Sequence, residues 1–314
     1  MQELAGIKIG HATRAEYHTG CTVFLCPPGT VGGVDVRGPA PGSRETVLLA
    51  PDKSVTTINA VLLTGGSAFG LSAADGVMRY LAENGIGHQT PIRPIPIVAG
   101  AVVYDLFLGG GQGLPDGELG YQACLNAGSD PIEQGNVGAG TGVTVGKWGG
   151  FQGIMKGGFG LASLQEGDLV VGAAAVVNGV GDVVNEDGTV LAGAYKAEGG
   201  WRVEEDPLRR FPELAPANLG TNTTLIVVAT NARFDKVQAN RLAQRAHDGM
   251  AIAVRPVHTT HDGDTAFALA TGQVEVPFDV VANAAVLMVA EAIRNGVRHA
   301  ATAAGIRGLK ASEP

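Results

Sequence analysis

The stretch Asn218-Leu219-Gly220-Thr221-Asn222-Thr223-Thr224-Leu225-Ile226-Val227-Val228-Ala229-Thr230-Asn231 decides how the rest of the chain is read. Its second half is β-branched and apolar, and a polar Gly-Thr-Asn turn leads straight into it. That is a buried strand entered from a loop. Upstream, Gly199 to Ala217 is charged and broken by Pro207, Pro212 and Pro216, which predicts an exposed linker. A linker running into Asn-Thr at the first residue of a strand suits a chain that cuts itself there. The Thr223 hydroxyl would attack the Asn222 carbonyl and shift the acyl group from nitrogen to oxygen. Water would then hydrolyse the ester. The cut would free an α-amine on Thr223, of pKa about 8, able to act as base for its own hydroxyl. A strand that simply starts on Thr is equally ordinary, so the weight must come from elsewhere in the chain.

The composition narrows the choices. The 314 residues are 45% hydrophobic and 17% charged, with 48 Gly, and the mean hydropathy is +0.16. Such a chain buries a large core and is layered with tight turns rather than disordered. A net charge of −8 and a pI near 5.4 argue against nucleic acid as a partner, because phosphate binding needs a basic face. Cys21, Cys26 and Cys124 make no disulfide framework and are read as small buried hydrophobes. The N-terminus has neither a basic start nor an apolar signal core, and no run of 18 apolar residues predicts a membrane span. A cytoplasmic location is the expectation.

In chain order, Gly20–Cys26, the turn Pro27-Pro28-Gly29 and Val31–Val36 predict a strand, turn, strand hairpin. Ala60–Thr64 is a strand. Ser67 is the expected N-cap of a helix over Ala68–Glu83, with Leu71, Ala74, Val77, Met78 and Leu81 on one face and Gly85 as its stop. A strand over Ile97–Leu106 and a helix near Leu119–Ala127 follow. Two strands, Gly158–Leu164 and Val170–Asn178, flank the turn Gln165–Asp168. After the Thr223 strand come a helix over Lys236–Ala251, a short strand over Ala266–Thr271, and a helix from Phe278 to about Ala304, which Gly305 would end. Strands and helices come in mixed order, so a sheet-on-sheet core covered by helices fits better than a doubly wound fold.

Several residues carry chemistry without declaring it. Gly65-Gly66-Ser67 lacks the Lys of a phosphate loop, and Gly135–Lys147 lacks the strand and acidic residue of a dinucleotide fingerprint. His258-Thr259-Thr260-His261-Asp262-Gly263-Asp264 raises the question of a metal, but His-x-x-His on a turn is not the helical arrangement of a metalloprotease. Asp262-Gly263-Asp264 is too short for a calcium loop. Lys147 stands alone in a Gly-rich apolar region, either reaching solvent or buried against a carboxylate. Tyr104 sits late in an apolar strand, and Asn178 ends the run Leu169–Val177.

Together these stretches resemble a known family. Thr19–Val23, Gly33–Gly38, Leu63–Leu71, Val137–Gly142, Asn222–Thr224 and Asp262–Thr265, in this order, are similar to the L-aminopeptidase/D-esterase (DmpA-type) family of self-cleaving N-terminal nucleophile hydrolases. That group includes β-aminopeptidases and nylon-oligomer hydrolases. The resemblance implies an α/β (α+β) fold, a four-layer αββα sandwich. It also implies one domain cut into residues 1–222 and 223–314, and a homo-oligomer, commonly a tetramer. It makes Thr223 the nucleophile freed by cleavage after Asn222. Lys147 and Asn178 match positions lining the nucleophile, and Tyr104 matches a tyrosine on the reacting carbonyl. Asp262 and Asp264 match the acidic pair of the nylon-hydrolase branch. No cofactor and no metal are implied, and the substrate is a small peptide or oligoamide.

The departures point within the family. Its founding aminopeptidases carry Ser after Gly as nucleophile, with Ser and Glu in place of Asp262 and Asp264. Asn-Thr with paired aspartates is closer to the branch that opens ω-amino-acid oligoamides. The related ornithine acetyltransferases cut between Ala and Thr, which makes acyl transfer the alternative chemistry. A non-catalytic binding protein of the same fold is the third reading.

Overall fold

The computed structural model describes residues 4–128, 131–204 and 222–311. Strands apolar at consecutive positions need cover on both faces, and that need sets the layering. Strands β1 (Lys8–Arg14) and β2 (Thr19–Leu25) pair antiparallel, and the chain then crosses to another sheet for β3 (Val31–Val36). It returns for β4 (Ser43–Arg44), β5 (Ala60–Thr64), helix α1 (Ala73–Glu83), β6 (Val98–Val102), and helices α2 (Leu106–Gly109) and α3 (Gly117–Leu125). A two-residue pair, β7 (Thr144–Val145) and β8 (Met155–Lys156), precedes the hairpin β9 (Phe159–Glu166) and β10 (Leu169–Asn178). After β11 (Asp182–Val184) and β12 (Val190–Ala192) come β13 (Thr223–Ala232), α4 (Lys236–Ala253), β14 (Val254–Arg255), β15 (Thr265–Val274) and α5 (Phe278–Arg298).

Two five-stranded sheets result, one in the order β1-β2-β5-β6-β4 and the other β3-β15-β13-β10-β9. Their facing sides make the central core. Phe24, Val61, Leu63 and Ala99 of the first sheet meet Ala174, Val176, Leu225, Val227 and Phe267 of the second. The alternate residues Ile226 and Val228 of β13 point the other way, into α4 and α5 beside Leu242, Ala246, Met250, Val289 and Ile293. On the outer side of the first sheet, Cys21, Val23 and Leu62 pack under Ala74, Val77, Leu81 and Ala123 of α1 and α3. The period-2 alternation of β13 thus fills two cores at once, and the four layers run helix, sheet, sheet, helix. Helix α5 lies on β9 closely enough that a methyl on Gly160 would fall 2.2 Å from Gly296 N. By length and composition alone α5 could cross a membrane, yet here it packs one face, with Val281, Ala285 and Val289, into the core.

Four expectations change. The hairpin over Gly20–Val36 does not form, because β2 pairs with β1 and β5 while β3 pairs with β15. Its turn is a crossover between sheets: both edges of β2 are taken by β1 and β5, and β3 pairs with β15 in the other sheet. Ser67 caps nothing. Gly66 and Ser67 both take left-handed φ, a tight 3-10 segment runs over Ser67–Ser72, and α1 starts only at Ala73. The strand expected over Ile97–Leu106 stops at Val102, and Leu106 opens α2. Helix α5 ends at Arg298, well before Gly305. The three prolines of the expected linker, and 218–221, lie outside the described residues.

Candidate active site

Thr223 is the first residue of β13 and stands directly opposite Asn178, the last residue of β10. On the other side β13 runs parallel to β15, and a bridge between Asn222 and Asp262 extends that pairing past both strand starts. One end of the second sheet therefore gathers residues 40 positions apart in sequence. Segment 37–40 closes it: the Arg37 and Gly38 N–H groups donate to the Asp264 carbonyl and Ala40 N–H to that of Asp262. Gly38 must be glycine here, since a methyl would fall 2.2 Å from Asp264 N.

The Asn222 carbonyl receives two donors. Gly263 N–H reaches its oxygen at 2.9 Å, and the Thr223 hydroxyl donates to the same oxygen. Asn222 is 0% and Thr223 5% exposed, so an external protease could not reach the bond between them. The aspartates face the strand and their own turn. Asp264 accepts from Thr224 N–H at 2.6 Å and from the His258 ring and backbone N–H at 2.8 and 3.1 Å. Asp262 accepts from Thr259 N–H at 2.6 Å, while its other carboxylate oxygen has no partner among the described residues. Burial, reinforced by the Asp264 charge, pushes Asp262 up to about 6.

Lys147 is delivered by the Gly-rich segment that pairs through β7. Neither expectation for it holds, since it neither reaches solvent nor bonds directly to a carboxylate. Its Nζ is buried and donates to Asn178 Oδ1 (2.8 Å), Asn178 O (2.9 Å), Thr144 O (2.9 Å) and Thr144 Oγ1 (3.3 Å). Such an oxygen cage suits the three protons of an ammonium. Burial works against it and, with the nearby Lys156 charge, outweighs the attraction of Asp262 and Asp264, pulling Lys147 down to about 7. Asn178 is held on both amide atoms: Oδ1 also accepts Thr144 N–H at 3.0 Å, and Nδ2 donates to Tyr104 O at 3.2 Å. The structure ties Tyr104 to the site through this main-chain carbonyl, and its side chain is half-buried.

Thr223, Lys147, Asn178, Asp262 and Asp264 thus bring their side chains to one end of the sheet, and Tyr104 joins them through its main-chain carbonyl. Gly263 and His258 were missed. A main-chain N–H leaves no signature in sequence, and His258 was weighed as a metal ligand when its ring belongs to Asp264. Among the described residues no three His, Cys, Asp or Glu side chains gather to hold a metal ion.

A pH prediction follows from the buried lysines. Lys156 too is pulled down to about 7 by burial, whereas the unfolded chain keeps both ammoniums protonated up to about 10.4. Above pH 7 the unfolded state binds more protons, so stability rises with pH. From pH 7 to 8.5 the two lysines contribute about 3 kcal/mol, and the three buried cysteines, held protonated in the folded chain but ionising in the unfolded one, take back about 1, leaving a gain on the order of 2 kcal/mol. Urea denaturation at the two pH values measures it. A flat result would mean that the oxygen cages keep both lysines charged.

Comparison with known proteins gives the family and the fold. The profile of peptidase family S58 matches residues 1–311. An uncharacterized aminopeptidase of Mycobacterium tuberculosis is 44% identical over 292 residues, covering 88% of this chain and 82% of that one. A 6-aminohexanoate-oligomer endohydrolase of Paenarthrobacter ureafaciens is 33% identical over 282 residues, covering 88% and 76%. Among solved structures, the L-aminopeptidase D-Ala-esterase/amidase of Ochrobactrum anthropi, described as a variant of the N-terminal nucleophile hydrolase fold, superposes with a TM-score of 0.71. It is 21% identical and the match covers 95% of this chain and 86% of that one. The acyl-transfer reading is not favoured. With the profile spanning nearly its whole length, the chain belongs to peptidase family S58 and is a hydrolase of peptide or amide bonds.

Proposed function

We propose that the chain cuts itself between Asn222 and Thr223, and that Thr223 then hydrolyses amide bonds in small peptides or oligoamides. The observation carrying this is the Asn222 carbonyl, with Gly263 N–H on its oxygen at 2.9 Å and the Thr223 hydroxyl beside it in a buried site. The Thr223 oxygen bonds to the Asn222 carbonyl carbon, and Gly263 N–H stabilises the oxyanion. The carbon–nitrogen bond breaks, Thr223 nitrogen takes the proton, and water hydrolyses the ester to free the Asn222 carboxylate. Before the cut, both amide atoms of Asn222 and one oxygen of Asp262 are buried without hydrogen-bond partners among the described residues. Each such group costs about 1–3 kcal/mol, and cleavage lets the new ammonium of Thr223 meet Asp262.

Turnover repeats the same chemistry. In its neutral form the freed amine accepts the Thr223 hydroxyl proton, the oxygen attacks a substrate amide, the proton passes to the leaving amine, and the acyl ester formed is the same bond as in processing, hydrolysed by water. Gly263 N–H therefore serves both reactions. Lys147 and Asn178 serve catalysis more than folding: Asn178 stands opposite Thr223 across the β10–β13 ladder, and Lys147 is bonded to its amide oxygen. A denaturing gel with intact mass tests the cut: scaling 31.9 kDa by 222 and 92 of 314 residues gives fragments of about 22.5 and 9.3 kDa. A homo-oligomer is part of the same reading, supported by exposed apolar side chains such as Phe69, Phe107 and Leu287; light scattering measures it.

Substrate choice follows from where the carboxylates point. Both oxygens of Asp264 accept hydrogen bonds, and on this reading the open one of Asp262 takes the Thr223 amine after the cut. Neither is left to anchor a substrate ammonium. The processed enzyme is expected to hydrolyse a short oligoamide of ω-amino acids and its N-acetylated form at rates within about tenfold, since no charged anchor is lost. Activity confined to the free amine would return the protein to the strict aminopeptidases.

A further inference from the structure

Lys156 and Asp105 are buried ions that the proposed chemistry does not use, with 0% and 2% exposure. An ion so placed is costly unless it is paired and hydrogen-bonded, so what each holds is informative. Lys156 stands opposite Thr144 in the β7–β8 pair. Its Nζ donates to Thr141 O at 2.8 Å and Val143 O at 2.9 Å, and Gly157 N–H adds a bond to Val143 O at 2.9 Å. The grip is on the four residues Thr141–Thr144. Thr144 in turn supplies the N–H on Asn178 Oδ1 and two of the oxygens around Lys147 Nζ.

Asp105 works on the other side of the same amide. It follows Tyr104, whose carbonyl accepts from Asn178 Nδ2. Its carboxylate is fixed by the Thr19 hydroxyl at 2.6 Å and Gly66 N–H at 2.7 Å. It also presses on the gripped segment, since a methyl on Gly142 would lie 2.7 Å from Asp105 Cβ. Its negative charge is the one that offsets the burial of Lys156.

We infer that Lys156 and Asp105 are positioning residues that bracket the Asn178 amide from both ends, Lys156 through Thr144 and Asp105 through Tyr104. The inference rests on the proposed reading of the site, in which Asn178 faces the Thr223 nucleophile. A displacement of about 1 Å in such a group costs about 100-fold in rate, while substrate contacts elsewhere are untouched. The pair therefore acts on kcat and not on KM.

The test uses the full-length processed protein with Lys156→Met, which fills the same space without charge. Expected are a kcat lower by about 30- to 100-fold, a KM within about twofold, and a thermal midpoint below wild type, because the Thr141 carbonyl loses its donor and Asp105 its nearby cation. Wild-type kcat in the folded variant would overturn the inference, as would a KM rising with the fall in kcat. If Lys156→Met does not fold, the isosteric Asp105→Asn decides, with the same loss of kcat at constant KM expected and wild-type kcat refuting it. Wild type and Thr223→Ala run alongside. If wild type processes and turns over while both positioning variants match it, only this inference falls. If wild type is uncut and inactive, the reading of the site falls with it.

Discussion

Thr223→Ala is expected to run as a single band near 31.9 kDa and to lose amide hydrolysis by about 10⁴-fold or more, the scale on which removal of a nucleophile is felt. One hydroxyl has two jobs in succession, and the variant removes both. Without its oxygen no ester forms at Asn222, no amine is freed, and the site keeps residue 222 lodged in it. The fold should survive, because the hydroxyl bonds only to the Asn222 carbonyl and the β13 ladder is main-chain. Thr223→Ser restores the oxygen and should restore cutting. Intact mass and N-terminal sequencing decide the matter. Efficient cutting in Thr223→Ala, or a new N-terminus at Thr224, would refute the assignment.

Gly263→Ala is expected to slow processing by about 100- to 1,000-fold, comparable to losing an oxyanion donor. The main-chain N–H remains in this variant, so the effect is one of space. A methyl would fall 2.8 Å from Thr223 Oγ1 and 2.8 Å from Ala40 O, closer than such atoms come. Either the hydroxyl is turned from the Asn222 carbonyl or the N–H is drawn off its oxygen, and each disables the attack. The φ of Gly263 is not positive, so backbone strain makes no separate contribution. The rate is read as the disappearance of the full-length band after synthesis. Cutting at the wild-type rate in a folded Gly263→Ala protein would remove Gly263 from the mechanism.

Much of the architecture was legible from single stretches. The β13 run Leu225–Ala229 and the β10 run Leu169–Val177 are apolar at every position, and only strands covered on both sides satisfy that. Helix α4 was legible because Leu242, Ala246 and Met250 recur at helical spacing, whereas its Asp235–Gln238 capping box shows only in the structure. The β9–β10 hairpin was legible because its partners are neighbours in sequence. The false hairpin at Pro27–Gly29 marks where that reasoning stops: adjacency is a weak guide when each strand has two edges to satisfy.

For the active site the division is sharper. Asn222-Thr223 and Asp262-Gly263-Asp264 carry their chemistry in residue identity, and the resemblance of the whole chain ordered them into one site. The sequence by itself determined the layered fold, because apolar patterning is a local property, and through the resemblance it singled out Thr223 as the candidate nucleophile. Only the tertiary structure decided that Gly263 N–H meets the Asn222 carbonyl, that His258 serves Asp264, and that Lys147 is caged by oxygens of Thr144 and Asn178. Those contacts are made by main-chain groups and by residues far apart in the chain. A peptide N–H is the same in every residue but proline, and what it faces is set by the register of β13 against β10 and β15.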